Sequence, residues 1–236
     1  MAINIKTIIV SGIEIIVVLA LLYPILIEPW HLSWGAIKEE QKMDLPGDDL
    51  SPDPNIRSTR AITINAPVED VWPWLVQIGQ GRGGLYSYDW LENIAGCDMR
   101  SADRIHPEWQ DTKPGDFVRF GKPDSNYPKV PVYAVEPNKV LILGGITDAK
   151  TGRDLKPGEP KPEQYYGSTW VFYLKKIDDT HTRLIARSLY SYSPGIGNTI
   201  MWRVITEPLH FIMERKMLFG IKERAESMQH SSTAQR

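Results

Sequence analysis

The sequence predicts an α+β domain in which a curved antiparallel β-sheet wraps around one long C-terminal α-helix. Three observations carry this prediction. Arg60–Leu75 has the pattern of a short strand that turns at once into a helix, the next hundred residues are dominated by short β-rich runs, and Gly197–Met228 has the periodicity of a long helix. A leading strand, a helix, further strands and one terminal helix describe a fold with a built-in cavity.

The composition limits the classes of protein to consider. The chain has 236 residues, enough for one sizeable domain plus an appendage, and a formal net charge of -2, so we expect no nucleic-acid partner. Its 8 Trp and 10 Tyr are either ordinary core residues or the lining of an apolar pocket. The single cysteine, Cys97, excludes an intrachain disulfide and a thiol metal cluster. No cofactor and no metal ion are predicted.

The N-terminal stretch Thr7–Ile27 is apolar over 21 residues and carries one charge, Glu14. Its length as a helix, about 30 Å, matches the thickness of a bilayer core. Because no small-residue cleavage pattern follows it, the sequence predicts an uncleaved, single-pass N-terminal anchor in residues 1–30. Trp30 and Trp34 follow where interfacial aromatic residues lie in membrane proteins. The side of the membrane is undecided, since basic residues flank the stretch on both ends.

Residues 31–57 have the Pro-, Gly- and charge-rich composition of a linker, and the globular domain is predicted over residues 58–228. Its first strand alternates polar and apolar residues. Asn65 is expected to cap the following helix, with Pro67 in the first turn. The apolar face of that helix holds Val68, Val71, Trp72 and Leu75.

Gly79–Gly84, GQGRGG, matches a dinucleotide-binding pattern literally but follows a helix, whereas the fingerprint must follow a strand. The sequence therefore predicts a tight turn there. Leu85–Ile94 is expected to be a short amphipathic helix. Ser101–Thr112 is expected to be a loop that carries three candidate site residues: Arg104, His106 and Trp109.

Short strands follow, bounded by Pro, Gly and Asn residues. They are predicted over Asp116–Phe120, Val130–Glu136 and Lys139–Leu143. Gly144–Gln164 is predicted to be an exposed loop, and Ser168–Ile177 and Thr182–Tyr190 a hairpin.

The C-terminal helix, Gly197–Met228, carries two opposite stripes. The first stripe is apolar and is expected to pack inward: Met201, Ile205, Leu209, Ile212 and Phe219. The second is charged and is expected to face solvent: Arg203, Glu207, His210 and Glu214. The Glu-x-x-His spacing also suits metal ligands, but such sites need the motif on a second helix. Residues 229–236 are expected to be a disordered tail.

The chain resembles the START-like (SRPBCC) superfamily of helix-grip proteins, which includes polyketide cyclases, lipid-transfer domains and plant pathogenesis-related proteins. The resemblance is carried by AITINAPVEDVWPWL, KPGDFVRF, PVYAVEPNKVLIL and STWVFYLKKIDDTHTRLIARS, followed by the terminal helix. It covers roughly residues 58–228, and it is greatest for the membrane-anchored branch. It implies a cavity between sheet and helix that holds hydrophobic molecules. It does not imply one activity, because this fold supports binding, transfer and catalysis.

The candidate ligand-binding residues are those expected to line or cover this cavity: Trp72, Arg104, His106, Trp109, Trp170, Phe172, Arg187, Met201 and Ile205. Arg187 faces the cavity or the surface, depending on which face of its strand packs inward. In the cavity it would need an acidic partner or an anionic ligand group. His106 beside Arg104 is a candidate for acid–base work, although such residues more often cap turns.

Three functions remain open at this stage. The favoured hypothesis is a membrane-tethered domain that binds or shuttles a lipid or another hydrophobic small molecule. The second is an enzyme of the cyclase, dehydratase or hydrolase kind, which requires at least two titratable groups to converge inside the cavity. The third is a protein-interaction module whose cavity is filled by side chains.

Overall fold

The computed structural model describes Glu14 and residues 22–125, 127–156 and 158–233. These residues have the predicted α+β architecture, with a six-stranded antiparallel sheet and a long C-terminal helix. This is the helix-grip arrangement, because the helix lies along one face of the sheet.

The strands are β1 (Ile56–Ile64), β2 (Phe117–Arg119), β3 (Lys129–Glu136), β4 (Val140–Asp148), β5 (Tyr165–Lys176) and β6 (Thr182–Tyr192). Their order in the sheet is β1-β6-β5-β4-β3-β2, so the first strand pairs with the last. β4 is longer than the sequence predicts. The segment Gly144–Asp148, expected to be loop, pairs with the first five residues of β5.

The α-helices are α1 (Glu28–Leu32), α2 (Lys38–Lys42), α3 (Val68–Val76), α4 (Asp89–Ile94), α5 (Ile196–Thr199) and α6 (Glu207–Thr233). Two π-helices, Tyr23–Ile27 and Ile200–Thr206, directly precede α1 and α6. The C-terminal helix is therefore not one continuous α-helix. Of the predicted disordered tail, residues 229–233 are helical, and residues 234–236 lie outside the described residues.

The start of α3 differs from the prediction in one respect. Pro67, rather than Asn65, occupies the N-cap position, and no side chain caps this helix. The backbone N–H of Asn65 instead donates to Glu226 Oε1 on α6 at 2.7 Å. This bond ties the β1–α3 turn to the long helix.

Gly79–Gly84 forms the predicted tight turn after α3, and its two end residues pair with each other as an isolated bridge. Gly84 has a φ of +70°, and a Cβ there would lie 2.6 Å from the Arg100 carbonyl oxygen. Glycine is required at this position for both reasons.

The hydrophobic core fills the space between the concave face of the sheet, α3 and the C-terminal half of α6. Leu218, Ile221 and Ala225 of α6 are fully buried there against side chains of α3 and of β5 and β6. At this end, interior side chains from the sheet, α3 and α6 meet and fill the space between the sheet and the long helix, a space that we call the grip.

The convex face of the sheet is covered by residues 36–50. Leu45 packs on Ala61 and Ile185, and Leu50 packs on β4 and β5. Apolar residues of the segment with linker composition therefore pack on this face of the sheet.

The predicted single-pass anchor over Thr7–Ile27 is wrong by this structure, because no helix in the described ranges is both long and apolar enough to cross a membrane. Residues 7–13 and 15–21 of that stretch lie outside the described residues. The aromatic residues expected at a membrane interface pack against the domain instead. The Trp30 ring lies 5.2 Å from that of Phe211, and the Trp34 ring lies 5.5 Å from that of Phe219.

Candidate functional site

The two stripes of the C-terminal helix are inverted relative to the prediction. Glu207 and Glu214, expected in solvent, are 1% and 2% exposed, whereas Ile205, expected in the core, is 51% exposed. The inward face of α6 continues from these carboxylates through Phe211 to the apolar core. The physical reason is that the facing part of β1 carries an arginine, which only acidic residues can match.

That arginine, Arg60, is fully buried on the concave face of the sheet. Its Nη1 donates to Glu214 Oε2 at 2.6 Å, and its Nη2 donates to Glu207 Oε1. Its Nε donates to the His31 carbonyl at 2.7 Å. The guanidinium also lies over the Phe211 ring, 5.0 Å from its centre. A buried charge is tolerated only when it is paired and hydrogen-bonded in this way.

The ionic cluster continues outward into the N-terminal helices. His31 Nδ1 lies 2.7 Å from Glu207 Oε2, and His31 Nε2 lies 2.9 Å from the Tyr23 hydroxyl. Glu28 accepts a bond of 2.6 Å from Arg203. These contacts fasten the first π-helix and α1 to the start of the C-terminal helix.

A second group of polar side chains lies beside Arg60 on the concave face. Trp170 Nε1 donates to Glu214 Oε1 at 2.6 Å, and the Tyr190 hydroxyl lies 2.6 Å from His210 Nδ1. His210 Nε2 lies 3.9 Å from Glu214 Oε1. Tyr190, His210 and Glu214 thus form a chain that leads to the buried guanidinium.

The Tyr190 phenol and the His210 imidazole are both uncharged at neutral pH. Burial raises the pKa of Tyr190 well above its ordinary value, and burial lowers the pKa of His210. Burial also acts to raise the pKa of Glu214, but Arg60, His210 and the Trp170 hydrogen bond together outweigh it and hold that pKa below the ordinary value. The hydrogen bond between the Tyr190 hydroxyl and His210 Nδ1 therefore joins two neutral groups.

Two serine hydroxyls complete the polar part of the concave face. Ser58 on β1 and Ser188 on β6 are direct partners in the sheet register, and Trp170 lies opposite Ser188 on the other side. Both serines are at most 1% exposed, and neither Oγ has a hydrogen-bond partner of normal geometry within the described part of the chain.

A cleft of about 500 Å³ opens at the end of the concave face, between the start of β5, the end of β6 and the second π-helix. Its lining is mixed: polar side chains such as Glu163, Gln164 and Asn198 stand beside four aromatic residues, Tyr165, Tyr166, Tyr192 and Trp202. The Tyr192 and Trp202 rings are nearly parallel, with an interplanar angle of 3° and centres 5.9 Å apart. The centre of the Tyr190 ring lies 5.7 Å from that of the Trp202 ring.

The predicted cavity residues fall into two groups. Trp72, Trp170 and Phe172 are buried in the core cluster, and Trp170 alone of these three touches the polar group. Met201 and Ile205 are each 51% exposed and point away from the sheet.

Arg187 lies on the convex face, since Leu184, Ala186 and Tyr190 of its strand face the helix. It is fully buried beneath the N-terminal segment, where it donates to Asp48 Oδ2 at 2.6 Å and to the Glu40 carbonyl at 2.8 Å. The acidic partner that a buried arginine requires is therefore present, but Arg187 is not in the grip.

The predicted site residues of the loop Ser101–Thr112 lie together at the end of α3. His106 stacks on Trp109 with ring centres 4.0 Å apart and bonds Glu108 at 3.1 Å, while the Arg104 carbonyl accepts a bond from Gln77. They share no hydrogen bond or ring contact with the Tyr190–His210 pair. Within the described residues, no group of three His, Cys, Asp or Glu side chains could hold a metal ion.

The central site residues Arg60, Ser58 and Tyr190 are absent from the sequence-based candidates. One signal could have found them. Arg60 alternates with Ile62 and Ile64 on the inward face of β1, which makes it an inward-facing charge that needs a partner. Glu207 and Glu214 on the terminal helix are the only nearby carboxylates spaced to meet it among the described residues of that helix's inward face.

No protein-family model and no curated protein matches the chain. Several solved structures are similar to it in part. The KanY protein is 11% identical, with 72% of this chain and 97% of that chain covered and a TM-score of 0.42. Ara h 8.0201 is 9% identical, with 73% of this chain and 98% of that chain covered and a TM-score of 0.40. A norcoclaurine synthase of Thalictrum flavum is 11% identical, with 74% of this chain and 96% of that chain covered and a TM-score of 0.35.

These matches carry no argument about ligand or reaction. The architecture of the described residues is itself that of the helix grip. The resemblance to START-like proteins is confirmed at that level.

Proposed function

We propose that the protein binds a hydrophobic small molecule at the mouth of the helix grip. The observation that carries this proposal is the cleft of about 500 Å³, whose lining includes four aromatic side chains. Ligand sites of small molecules are concave, mainly apolar and aromatic, and about 300–1,000 Å³ in volume.

The geometry of Trp202 supports this site. Its ring stacks on that of Tyr192 and is carried by a π-helix, a rare element that often marks functional positions in helices. A flat or extended apolar molecule placed in the cleft gains contact with this aromatic pair.

The test is the binding of N-phenyl-1-naphthylamine, an uncharged fluorescent probe, to the purified full-length chain. We expect one saturable site, and we expect Trp202→Ala to weaken its affinity about tenfold, because an aromatic contact contributes about 1.5 kcal/mol. Trp90→Ala removes a tryptophan that is 64% exposed on α4 and serves as the matched control.

The half-exposed apolar stripe of the C-terminal helix could also attract the probe, so a second control is needed. The variant Ile205→Ser/Leu209→Ser should leave the saturable site unchanged. Probe binding that survives Trp202→Ala but is lost in this stripe variant would overturn the proposal.

A second candidate function is acid–base catalysis on the bound molecule. It is favoured by the convergence of Tyr190, His210 and Glu214 inside the grip, which an enzyme in this cavity requires. The test is deuterium incorporation at the methyl group of 2-acetylnaphthalene in D2O, followed by NMR. Enhanced exchange that is lost in His210→Phe would support it, and exchange at the solvent rate would exclude it for this ketone.

A further inference from the structure

We infer that two neighbouring helical segments, residues 22–30 and 200–212, rest with their exposed side on a lipid bilayer that carries anionic head groups. We call this exposed side the outer helical face. The contact is one in which helices lie in the interfacial region of a bilayer, so it requires no helix that crosses one.

The first argument is the composition of the outer helical face. Every exposed residue from position 200 to position 212 is apolar, and each of these side chains is 49–54% exposed: Ile200, Met201, Val204, Ile205, Leu209 and Ile212. Residues 22–30 expose further apolar side chains, among them Ile25, Leu26 and Trp30. Single exposed apolar residues are ordinary, but a continuous group of them marks an interaction site.

The two segments form one face because they lie side by side. The Tyr23 hydroxyl donates to the Arg203 carbonyl at 3.3 Å, and the Trp30 ring lies 5.2 Å from that of Phe211. Arg203 and Phe211 each directly precede an exposed apolar residue of the C-terminal helix. The apolar surfaces of the two segments therefore adjoin along their length.

The second argument is that the charges of both segments are used within the molecule. Arg203 Nη1 lies 2.6 Å from Glu28 Oε1, and Glu207 pairs with Arg60. No exposed residue of the two segments is charged. Interfaces between proteins usually contain one hydrogen bond for about every 100–200 Å² of buried surface, whereas acyl chains need no such partners. The outer helical face therefore matches acyl chains.

The third argument is the basic edge at which this face ends. Arg215 and Lys216 follow Ile212 on α6, and neither forms an ion pair within the described part of the chain. The Arg215 guanidinium lies over the Trp34 ring, 5.0 Å from its centre. Tryptophan and basic residues are typical of the boundary between acyl chains and head groups. A second copy of the chain would bring no exposed carboxylate from this face to meet the two cations, whereas anionic lipids would.

The first experiment places a fluorescent reporter on the outer helical face. The environment-sensitive dye NBD is attached to Ile205→Cys in a Cys97→Ala background of the full-length chain, which is mixed with vesicles of phosphatidylcholine and phosphatidylglycerol. We expect a blue shift and brighter emission, because the dye leaves water. Ile177→Cys, in the β5–β6 turn, is the matched control, since Ile177 is 52% exposed and Ile205 is 51% exposed. Ile212→Cys is a second reporter, so the test does not depend on the folding of one variant.

The second experiment measures vesicle binding by flotation. We expect Ile205→Ser/Leu209→Ser to weaken binding about tenfold, because less apolar surface leaves water.

The basic edge is tested in the same assay. Arg215→Gln/Lys216→Gln should lower the preference for vesicles with phosphatidylglycerol over vesicles of phosphatidylcholine alone by about fivefold for each residue. Lys175→Gln/Lys176→Gln removes the same charge from exposed positions at the end of β5 and should leave this preference unchanged.

Three outcomes would overturn the inference. Vesicle binding that is unchanged in Ile205→Ser/Leu209→Ser would assign it to another part of the chain. A dye at position 205 or 212 that stays in water while the chain is bound would do the same. A blue shift without vesicles that grows with protein concentration would show that a second copy covers the outer helical face.

Discussion

Arg60 is held by two carboxylates and a carbonyl in the interior, and this arrangement makes the residue essential to the fold. Removing one partner of a buried ion pair costs about 3–5 kcal/mol, because the other charge stays buried and uncompensated. Here two carboxylates, Glu207 and Glu214, depend on one guanidinium.

We therefore expect Arg60→Met to lower the free energy of unfolding by about 3–5 kcal/mol in urea titrations. Adding Glu207→Gln and Glu214→Gln should restore a large part of the loss, since no charge then remains unpaired. Arg57→Met, at a half-exposed position of the same strand, should cost less than about 1 kcal/mol. Equal losses in Arg57→Met and Arg60→Met would show that the cluster is not buried.

A second residue gives a prediction about pH. Glu92 on α4 is 7% exposed, and neither carboxylate oxygen has a hydrogen-bond partner in the described ranges. Burial, with Asp89 as a further cause, raises the pKa of Glu92 to about 7 from 4.5. The folded state thus binds more protons than the unfolded state between these two values, and its stability falls as the pH rises through that window.

Glu92→Gln removes this titration. We expect the variant to match the parent near pH 4 and to exceed it by up to about 3 kcal/mol above pH 8, as measured by urea unfolding across the range. Glu223→Gln, at an exposed position of α6, should show no such difference. A parent protein whose stability is flat between pH 4.5 and 7, relative to Glu92→Gln, would contradict the prediction.

At the scale of elements, the two π-helices share one cause. Each ends at a Glu-Pro pair, Glu28-Pro29 or Glu207-Pro208, and in each the glutamate amide bonds the carbonyl five residues back. Proline lacks an amide hydrogen and its ring collides with the carbonyl four residues before it, so the wider turn avoids this collision. The turn also rotates each glutamate into the ionic cluster, where both are buried.

We expect Pro208→Ala to allow an α-helical turn over Ile200–Thr206, because the amide at position 208 can then bond the Val204 carbonyl. The change would reposition Trp202 and weaken binding of N-phenyl-1-naphthylamine by about tenfold, which corresponds to the free energy of its aromatic contact. Pro137→Ala, in the β3–β4 turn, is the control. Unchanged probe affinity in Pro208→Ala would show that the proline does not set the position of Trp202.

The same elements show what the sequence can and cannot predict. Strand and helix periodicity identified the sheet, α3 and the terminal helix, because local patterns report which residues share a face. They do not report which face is inside. The inward face of α6 is set by Arg60, which is more than 140 residues away along the chain. For that reason the sequence pattern alone predicts a solvent-facing charged stripe and places Glu207, His210 and Glu214 on the wrong side of the helix.

For the molecule as a whole, the space between the sheet and the C-terminal helix divides into two halves that different interactions hold together. The half at the end of α6 is a packed apolar core, and the half at its start combines an ionic cluster, a neutral polar pair and an aromatic cleft. The sequence pattern and the resemblance to helix-grip proteins predict a cavity for hydrophobic molecules, but neither predicts this division. The division arises only when Arg60, Tyr190 and α6 are brought together by pairing of the first and last strands.

This division leads to a prediction about stability across the C-terminal helix. Ile205 and Leu209 are each 51% exposed, so their side chains lose little contact with water on folding. We expect Ile205→Ser/Leu209→Ser to lower the free energy of unfolding by no more than about 1 kcal/mol. Leu218→Ala, at a fully buried position of the same helix, should cost about 2–5 kcal/mol. Both are measured by urea unfolding of the full-length chain. A large loss in the serine variant would mean that its stripe is covered in the folded molecule, and that the face of the helix towards the sheet is not the one with Glu207 and Glu214.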